Sequence, residues 1–233
     1  MVSPVYFFVP NLIGYVRVAL ACIAFYVSFT DYKLFFVCYG LSEILDAIDG
    51  HAARAFGQSS KFGAVLDMVT DRCATTCLLM VLSFFYRDHI LYFTAVVALD
   101  IASHYAHLYS SLARRLASHK AIDQTANPLL RIYYTNRAAL GALCFGNEAF
   151  FLLLYVAHFE SGPSLFFFNN QEMTLVRVLT MVVAPLMLAK QLMNVIQLKQ
   201  AATDLAKLDE VEHYGKKQKF SLNHDVHSLK NNC

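Results

Sequence analysis

The sequence has no tryptophan and few charged residues, which sets it apart from most soluble proteins. Only 15% of its 233 residues are Asp, Glu, Lys or Arg, whereas 57% are hydrophobic. Soluble domains have about 25% charged residues, so this composition is typical of a protein that lies in a lipid bilayer. Without Trp, the aromatic residues at the membrane surfaces must come from the 13 Tyr and 19 Phe.

Several signals that would indicate other classes are also absent. The net charge of +2 is too small to argue for a nucleic-acid partner. The six cysteines have no regular spacing, and five lie in apolar runs where Cys packs as a small hydrophobic residue. The N-terminal region lacks the basic segment of a cleavable signal, and "KNNC" at the other end is not a prenylation motif. We therefore expect the first apolar run to be retained as a membrane span.

Apolar segments of about 20 residues, the length that a helix needs to cross a bilayer, recur six times. We predict transmembrane helices at approximately residues 11–29, 34–56, 62–85, 90–109, 138–159 and 175–197. The fold class is thus an all-α integral membrane protein with six transmembrane helices. We expect a catalytic domain over residues 1–200 and a cytosolic tail over 201–233, amphipathic at first and disordered from Gly215 onwards.

The distribution of Lys and Arg predicts the orientation in the membrane. The connection after the second span has Arg54 and Lys61, and the connection after the fourth span and the tail have five basic residues each. The connections on the opposite side have few. Because basic residues concentrate on the cytosolic side, we expect both termini and the connection after the second span to be cytosolic.

Four aspartates stand in the stretch "DAIDGHAARAFGQSSKFGAVLDMVTDR", within two of the predicted spans. Asp46 and Asp49 are three residues apart and Asp67 and Asp71 are four apart, so each pair shares one face of its helix. The short connection makes the two helices antiparallel neighbours, and the two faces can meet. An unpaired carboxylate inside a membrane is costly, so this density of acids needs compensation.

Divalent metal ions are the compensation that best fits these residues. Oxygen ligands favour Mg²⁺ or Mn²⁺ over zinc, and four carboxylates suit two ions that clamp a diphosphate. Gly50 allows close approach, and Arg54 offers a bidentate contact to phosphate. The alternative is a set of buried ion pairs between the four acids and Arg54, Lys61 and Arg72.

The full pattern, D-x2-D-G-x2-A-R-x8-G-x3-D-x3-D, resembles the signature of the CDP-alcohol phosphotransferase family of membrane enzymes. The segments "FVPNLIGYVR" and "NPLLRIYYTNR" extend the similarity towards the animal-type phosphatidylinositol synthases within that family. The resemblance covers about residues 8–206. It implies transfer of a phosphatidyl group from CDP-diacylglycerol to myo-inositol with release of CMP, in the endoplasmic reticulum membrane and as a homodimer.

The resemblance also implies roles for individual residues. The four aspartates, Asp46, Asp49, Asp67 and Asp71, would hold two Mg²⁺ or Mn²⁺ ions, with Asp71 also acting as the catalytic base. Residues that would contact CDP-diacylglycerol are Gly50, Arg54 and Ser60.

Further residues could either contact substrate or have a structural role. Asn11 could bind the cytosine and Arg17 a phosphate, or they could be a helix cap and an Arg that extends to the membrane surface. For the inositol pocket the candidates are Asp100, His104, His107 and Arg131, with polar contacts between helices as the alternative.

Other functions remain possible from the residues alone. Another member of the family could use glycerol phosphate, serine or choline as acceptor. An intramembrane prenyltransferase also combines aspartates, Mg²⁺ and a diphosphate, but its acidic motifs are well separated, whereas these four acids lie close together. A transporter or scaffold could use the acids for ion passage without catalysis.

Overall fold

The computed structural model describes residues 3–117, 136–168 and 171–230, which are mostly helical. The α-helices in these ranges are α1 Val9–Val27, α2 Tyr32–Ala55, α3 Lys61–Phe85, α4 Ile90–Ala117, α5 Arg137–Phe159 and α6 Leu175–Lys230. Short 3-10 turns precede α1 at Pro4–Phe7 and α4 at Arg87–His89. The predicted all-α class is confirmed.

Four of these helices are long and apolar enough to cross a membrane: Val9–Val27, Lys61–Phe85, Ala138–Phe159 and Leu175–His213. The chain is therefore a multi-pass membrane protein. Helices α2 and α4 are also long, but α2 includes Glu43, Asp46 and Asp49 in addition to its apolar residues. The predicted count of six spans remains a prediction.

A small β-hairpin before α6 was not predicted from the sequence. Strand β1, Ser164–Phe168, pairs antiparallel with β2, Gln171–Thr174. All five residues of β1 are exposed, including Phe166, Phe167 and Phe168. Aromatic residues favour extended backbone, but a segment this short between two apolar runs shows no clear alternation of polar and apolar residues.

The end of the chain also differs from expectation. Helix α6 continues to Lys230, through the part of the tail that we expected to be disordered. The division into a catalytic domain and a tail remains a prediction. The chain packs as two compact units, one of residues 1–98 and 141–190 and the other of residues 99–140 and 191–233.

The first unit contains α1, α2 and α3, and its hydrophobic core includes Phe35, Tyr39, Leu78, Phe151 and Tyr155. The Tyr155 hydroxyl donates to the carbonyl of Ser28 at 2.7 Å, which satisfies its polar atom away from water.

Local sequence sets the boundaries of the α2–α3 hairpin. Asp31 caps α2 by accepting from the backbone N–H groups of Lys33 and Leu34. Ser60 caps α3, where its hydroxyl accepts from the N–H of Gly63 at 2.9 Å. Between the helices, Gly57 adopts a φ of 62°, which glycine tolerates better than other residues. These signals make a tight turn that holds α2 and α3 side by side.

In the second unit, polar side chains connect α4 to α6. The Asn194 amide donates to the Asp100 carboxylate at 3.4 Å, and the Gln197 amide donates to the Ser103 carbonyl at 3.4 Å. An ion pair between Arg114 and Asp204 measures 3.0 Å. Polar pairs of this kind hold helices together where lipid removes the hydrophobic driving force.

Candidate active site

The α2–α3 hairpin brings the aspartates together as their spacing predicts. Oxygen atoms of Asp46, Asp49 and Asp67 lie within 4.8 Å of one another, close enough to hold one metal ion. The carboxylate of Asp71 joins them through a shared cationic partner, the guanidinium of Arg17. Carboxylate oxygens are the ligands that Mg²⁺ and Mn²⁺ prefer, so the donor set fits the metal that the sequence suggested.

Arg17 of α1 lies at the centre of the aspartate cluster. Its Nη1 is 2.8 Å from Asp49 and 2.8 Å from Asp67. Its Nη2 is 2.7 Å from Asp46 and also bonds Asp71. The Arg17 side chain is only 1% exposed. It therefore does not extend to the membrane surface, and that interpretation of Arg17 was wrong.

The alternative to a metal site was a set of ion pairs between the four acids and Arg54, Lys61 and Arg72. In the structure the acids pair mainly with a different residue. Arg72 approaches Asp71 at 3.9 Å, at the limit for an ion pair. The main cationic partner of the acids is Arg17, which lies 50 residues before Asp67 in the chain. Sequence spacing could not reveal this pairing, because it depends on how α1 packs against the hairpin.

A cavity of about 160 Å³ lies next to the cluster, at the turn between α2 and α3. It is lined by Asn11 from α1 and by Gly50, Arg54 and Ser60, the residues that the resemblance assigned to CDP-diacylglycerol. Asp49 and Asp67 form part of the same wall. The structure thus brings the predicted substrate contacts and two predicted metal ligands to one cavity.

Asn11 and Gly63 fit closely in this cavity wall. The Asn11 amide donates to the carbonyl of Val5 at 2.6 Å, whereas its Oδ1 is buried without a hydrogen-bond partner among the described residues. A Cβ atom on Gly63 would lie 2.6 Å from that Oδ1. Asn11 does not cap its helix, since Phe8 is the N-cap of α1, so the structural alternative of a helix cap was wrong.

Three of the candidates for the inositol pocket, Asp100, His104 and His107, belong to the second unit. Asp100 is buried and bonds Asn194, and the Nδ1 of His104 lies 2.8 Å from the Asp100 carbonyl. The bond to Asn194 favours the alternative of a polar contact between helices for Asp100, whereas the His104 contact lies within α4. His107 lies on the same helix. Arg131 lies outside the described residues, and its contact with substrate remains a prediction.

One half-buried acid near the cluster was missed in the sequence. Glu148 of α5 accepts from the hydroxyl of Tyr39 on α2 at 2.8 Å and from the hydroxyl of Thr75 on α3 at 2.9 Å. It therefore connects the two helices of the hairpin to α5. An ionisable residue inside a membrane span is a functional or structural signal by itself, and this rule could have found Glu148.

A larger cavity of about 760 Å³ lies elsewhere in the first unit. Its lining is mostly apolar and includes Tyr86, Leu154 and Met181, with Arg177 and Glu172 among the polar residues. None of the four signature aspartates lines it. The small cavity beside these aspartates is therefore the candidate active site.

Comparison with known proteins agrees with the geometry of this site. Residues 7–203 match the family described as CDP-alcohol phosphatidyltransferase. This match spans most of the chain, and the chain belongs to that family.

Individual relatives with one and the same name are similar to most of the chain. The chain is 48% identical to a human protein named CDP-diacylglycerol--inositol 3-phosphatidyltransferase, over 213 residues that make up 91% of this chain and 98% of the relative. Proteins with the same name in Schizosaccharomyces pombe and Drosophila melanogaster are 44% and 41% identical. The match to the S. pombe protein covers 88% of this chain and 91% of the relative. The match to the Drosophila protein covers 92% of each. No solved structure matches the chain.

Proposed function

We propose that the protein is a phosphatidylinositol synthase, which transfers the phosphatidyl group of CDP-diacylglycerol to myo-inositol and releases CMP. The observation that carries this proposal is the aspartate cluster on the α2–α3 hairpin, beside a cavity lined by Gly50, Arg54 and Ser60. The relatives that are 41–48% identical are named for this same reaction, which supports inositol as the acceptor.

The residues around the small cavity are suited to the CDP part of the donor. Arg54 presents a guanidinium that can bind phosphate oxygens in a bidentate way. The unpartnered Oδ1 of Asn11 can accept a hydrogen bond from the cytosine amino group. Gly50 adds no side chain to this wall, so its backbone can approach the diphosphate closely.

The aspartate cluster supplies the chemistry. The four carboxylates of Asp46, Asp49, Asp67 and Asp71 would hold two Mg²⁺ or Mn²⁺ ions, and these ions would supply positive charge to neutralise the diphosphate and polarise the phosphorus. The Asp71 carboxylate accepts the proton of an inositol hydroxyl. The inositol oxygen then forms a bond to the phosphatidyl phosphorus while the bond from that phosphorus to the CMP oxygen breaks.

The membrane location suits this pair of substrates. Acyl chains of CDP-diacylglycerol can remain in lipid while CDP and inositol reach the site from water. The excess of Lys and Arg in the connections on one side supports cytosolic termini and a site near the cytosolic surface. The family resemblance supports the endoplasmic reticulum membrane and a homodimer.

The acceptor is tested by measuring CMP release from CDP-diacylglycerol by the purified protein. We expect release with myo-inositol and Mg²⁺ or Mn²⁺, and background release with glycerol phosphate, serine or choline. A chelator should abolish the activity, because the diphosphate charge is then not neutralised. Transfer to one of the other acceptors instead of inositol would contradict the choice of substrate and leave the reaction class intact.

The role of Asp71 is tested by the variant Asp71→Asn. An amide cannot accept the inositol proton, so kcat should fall by about 10²–10⁴-fold, the usual contribution of a positioned base. Asp88→Asn is a matched control, since Asp88 lies in the turn between α3 and α4, at the opposite end of α3 from the aspartates. The proposal fails if CMP release survives the Asp71 change at the level of the control.

A further inference from the structure

The guanidinium of Arg17 bridges the two helices of the hairpin twice. Nη1 contacts Asp49 of α2 and Asp67 of α3, and Nη2 contacts Asp46 of α2 and Asp71 of α3. Each nitrogen thus lies between one carboxylate of each helix. Arg17 therefore occupies the space between the carboxylates of the two helices.

The backbone of α1 holds Arg17 against the cluster. The Ser42 hydroxyl of α2 donates to the carbonyl of Arg17 at 3.2 Å. One turn earlier, a Cβ on Gly14 would lie 2.8 Å from Leu66 of α3, which shows how closely α1 approaches the hairpin. Arg17 therefore reaches the carboxylates from a fixed helix rather than from a flexible loop.

Arg17 has little other polar support for its charge. Its Nε is buried and has no hydrogen-bond partner among the described residues. The two terminal nitrogens make the ion pairs with the four aspartates. A buried charge is stable only when it is paired, so the guanidinium and the four carboxylates stabilise one another.

Arg17 and a divalent ion would share the same carboxylates. The oxygens that could hold a metal belong to Asp46, Asp49 and Asp67, and each of these residues bonds Arg17 at 2.7–2.8 Å. A metal ion held by these oxygens would stand close to the guanidinium, and like charges at such a distance repel strongly in a site shielded from water.

We propose that Arg17 is an internal cation that competes with divalent metal for the aspartate cluster. Arg17 stabilises the hairpin before metal binds, and its guanidinium has to leave the carboxylates as metal enters. This inference rests on the proposed metal site. It makes Arg17 a positioning residue that sets how tightly the site holds metal.

The competition is tested by thermal unfolding of the purified full-length protein in detergent, at increasing Mn²⁺ after treatment with chelator. Without metal, Arg17→Gln should unfold at a lower temperature than the wild type, because the four carboxylates then repel without compensation. Its half-maximal stabilisation should need about tenfold less Mn²⁺, within the usual range of coupling between two binding events.

Arg177→Gln is the matched control. Arg177 is an exposed residue of the same unit that donates to the carbonyl of Glu172, away from the aspartates. Its Mn²⁺ midpoint should equal that of the wild type. Equal midpoints for Arg17→Gln and the wild type, with clear stabilisation of both by Mn²⁺, would overturn the competition and leave the metal site standing. Absence of stabilisation in both proteins would overturn the metal site and the competition together.

Two further variants keep the test decisive if Arg17→Gln does not fold. Arg17→Lys retains the charge, but a single ammonium group cannot bridge four carboxylates as the guanidinium does. Its Mn²⁺ midpoint should fall below that of the wild type. Adding Asp46→Asn to Arg17→Gln removes one negative charge together with the positive one, and should recover stability in chelator. A wild-type midpoint in Arg17→Lys, or no recovery in the double variant, would overturn the proposal.

Discussion

At the scale of single residues, the small cavity owes its shape to the missing side chain of Gly63. A Cβ there would lie 2.6 Å from the Asn11 Oδ1 and 3.1 Å from the Ser60 hydroxyl. Asn11 cannot move freely, because its amide is bonded to Val5. Any side chain at position 63 therefore has to push Asn11 or Ser60 out of place.

The variant Gly63→Ala should reduce kcat/KM for CDP-diacylglycerol by about 10- to 100-fold, as expected when a binding group is displaced by about 1 Å. Ala favours helices over Gly by about 0.5–1 kcal/mol, so loss of helix stability cannot explain the effect. Gly40→Ala is the control, since a methyl group there would meet no atom within 4 Å. Full activity in Gly63→Ala would show that the cavity does not need this close fit.

Glu148 shows at the same scale how a distant residue supports the site. Its carboxylate joins Tyr39 of α2 and Thr75 of α3. Thr75 is one turn of helix beyond Asp71, so the bond fixes α3 close to the aspartate cluster. A carboxylate that accepts hydrogen bonds at both oxygens favours one arrangement of the helices around it.

At the scale of secondary-structure elements, α5 and α6 come into close contact within the first unit. A Cβ on Gly146 of α5 would lie 2.3 Å from the Cβ of Leu186 on α6. Small residues permit such approach between helices in membranes, where van der Waals packing replaces the hydrophobic effect. Gly141 of the same helix has no neighbouring atom within 4 Å of its Cβ position.

This difference predicts the effect of matched substitutions on α5. Gly146→Val should lower the free energy of unfolding by about 1–3 kcal/mol, the usual penalty of overpacking. Gly141→Val introduces the same residue into the same helix without a clash and should have a much smaller effect. Thermal unfolding in detergent measures both. Equal unfolding temperatures would show that α5 and α6 can move apart to accommodate the larger side chain.

At the scale of the whole molecule, the turn of the α2–α3 hairpin and the tail are expected on the same side of the membrane. Arg54 and Lys61 lie at the turn of the hairpin, and Lys199, Lys207 and four further lysines follow the last predicted span. The β-hairpin precedes α6 and should lie on the opposite side, in the lumen. The orientation follows from charge and is independent of the chemistry of the site.

Glycosylation tests this orientation, because the sequence has no Asn-x-Ser/Thr acceptor of its own. A flexible linker with one acceptor, inserted after Pro163, should be glycosylated in microsomal membranes. The same linker inserted after Gly215 should remain unmodified. The opposite pattern would reverse the proposed topology and place the aspartate cluster on the lumenal side.

Sequence alone determined the local features of this protein. The helical class follows from long apolar runs, and the convergence of the aspartates follows from spacings of three and four residues on two helices joined by a short turn. The β-hairpin and the continuation of α6 to Lys230 were not predicted. Local preferences there are weak and give no unique periodicity.

Only the tertiary structure decided what surrounds the four aspartates. The ion pairs of Arg17, the fit of Asn11 against Gly63 and the bonds of Glu148 to Tyr39 and Thr75 each join residues that are 29 to 109 positions apart and lie on different helices. Such contacts depend on how whole helices pack against one another. Spacing along one helix determines which residues share a face, whereas packing determines what that face meets.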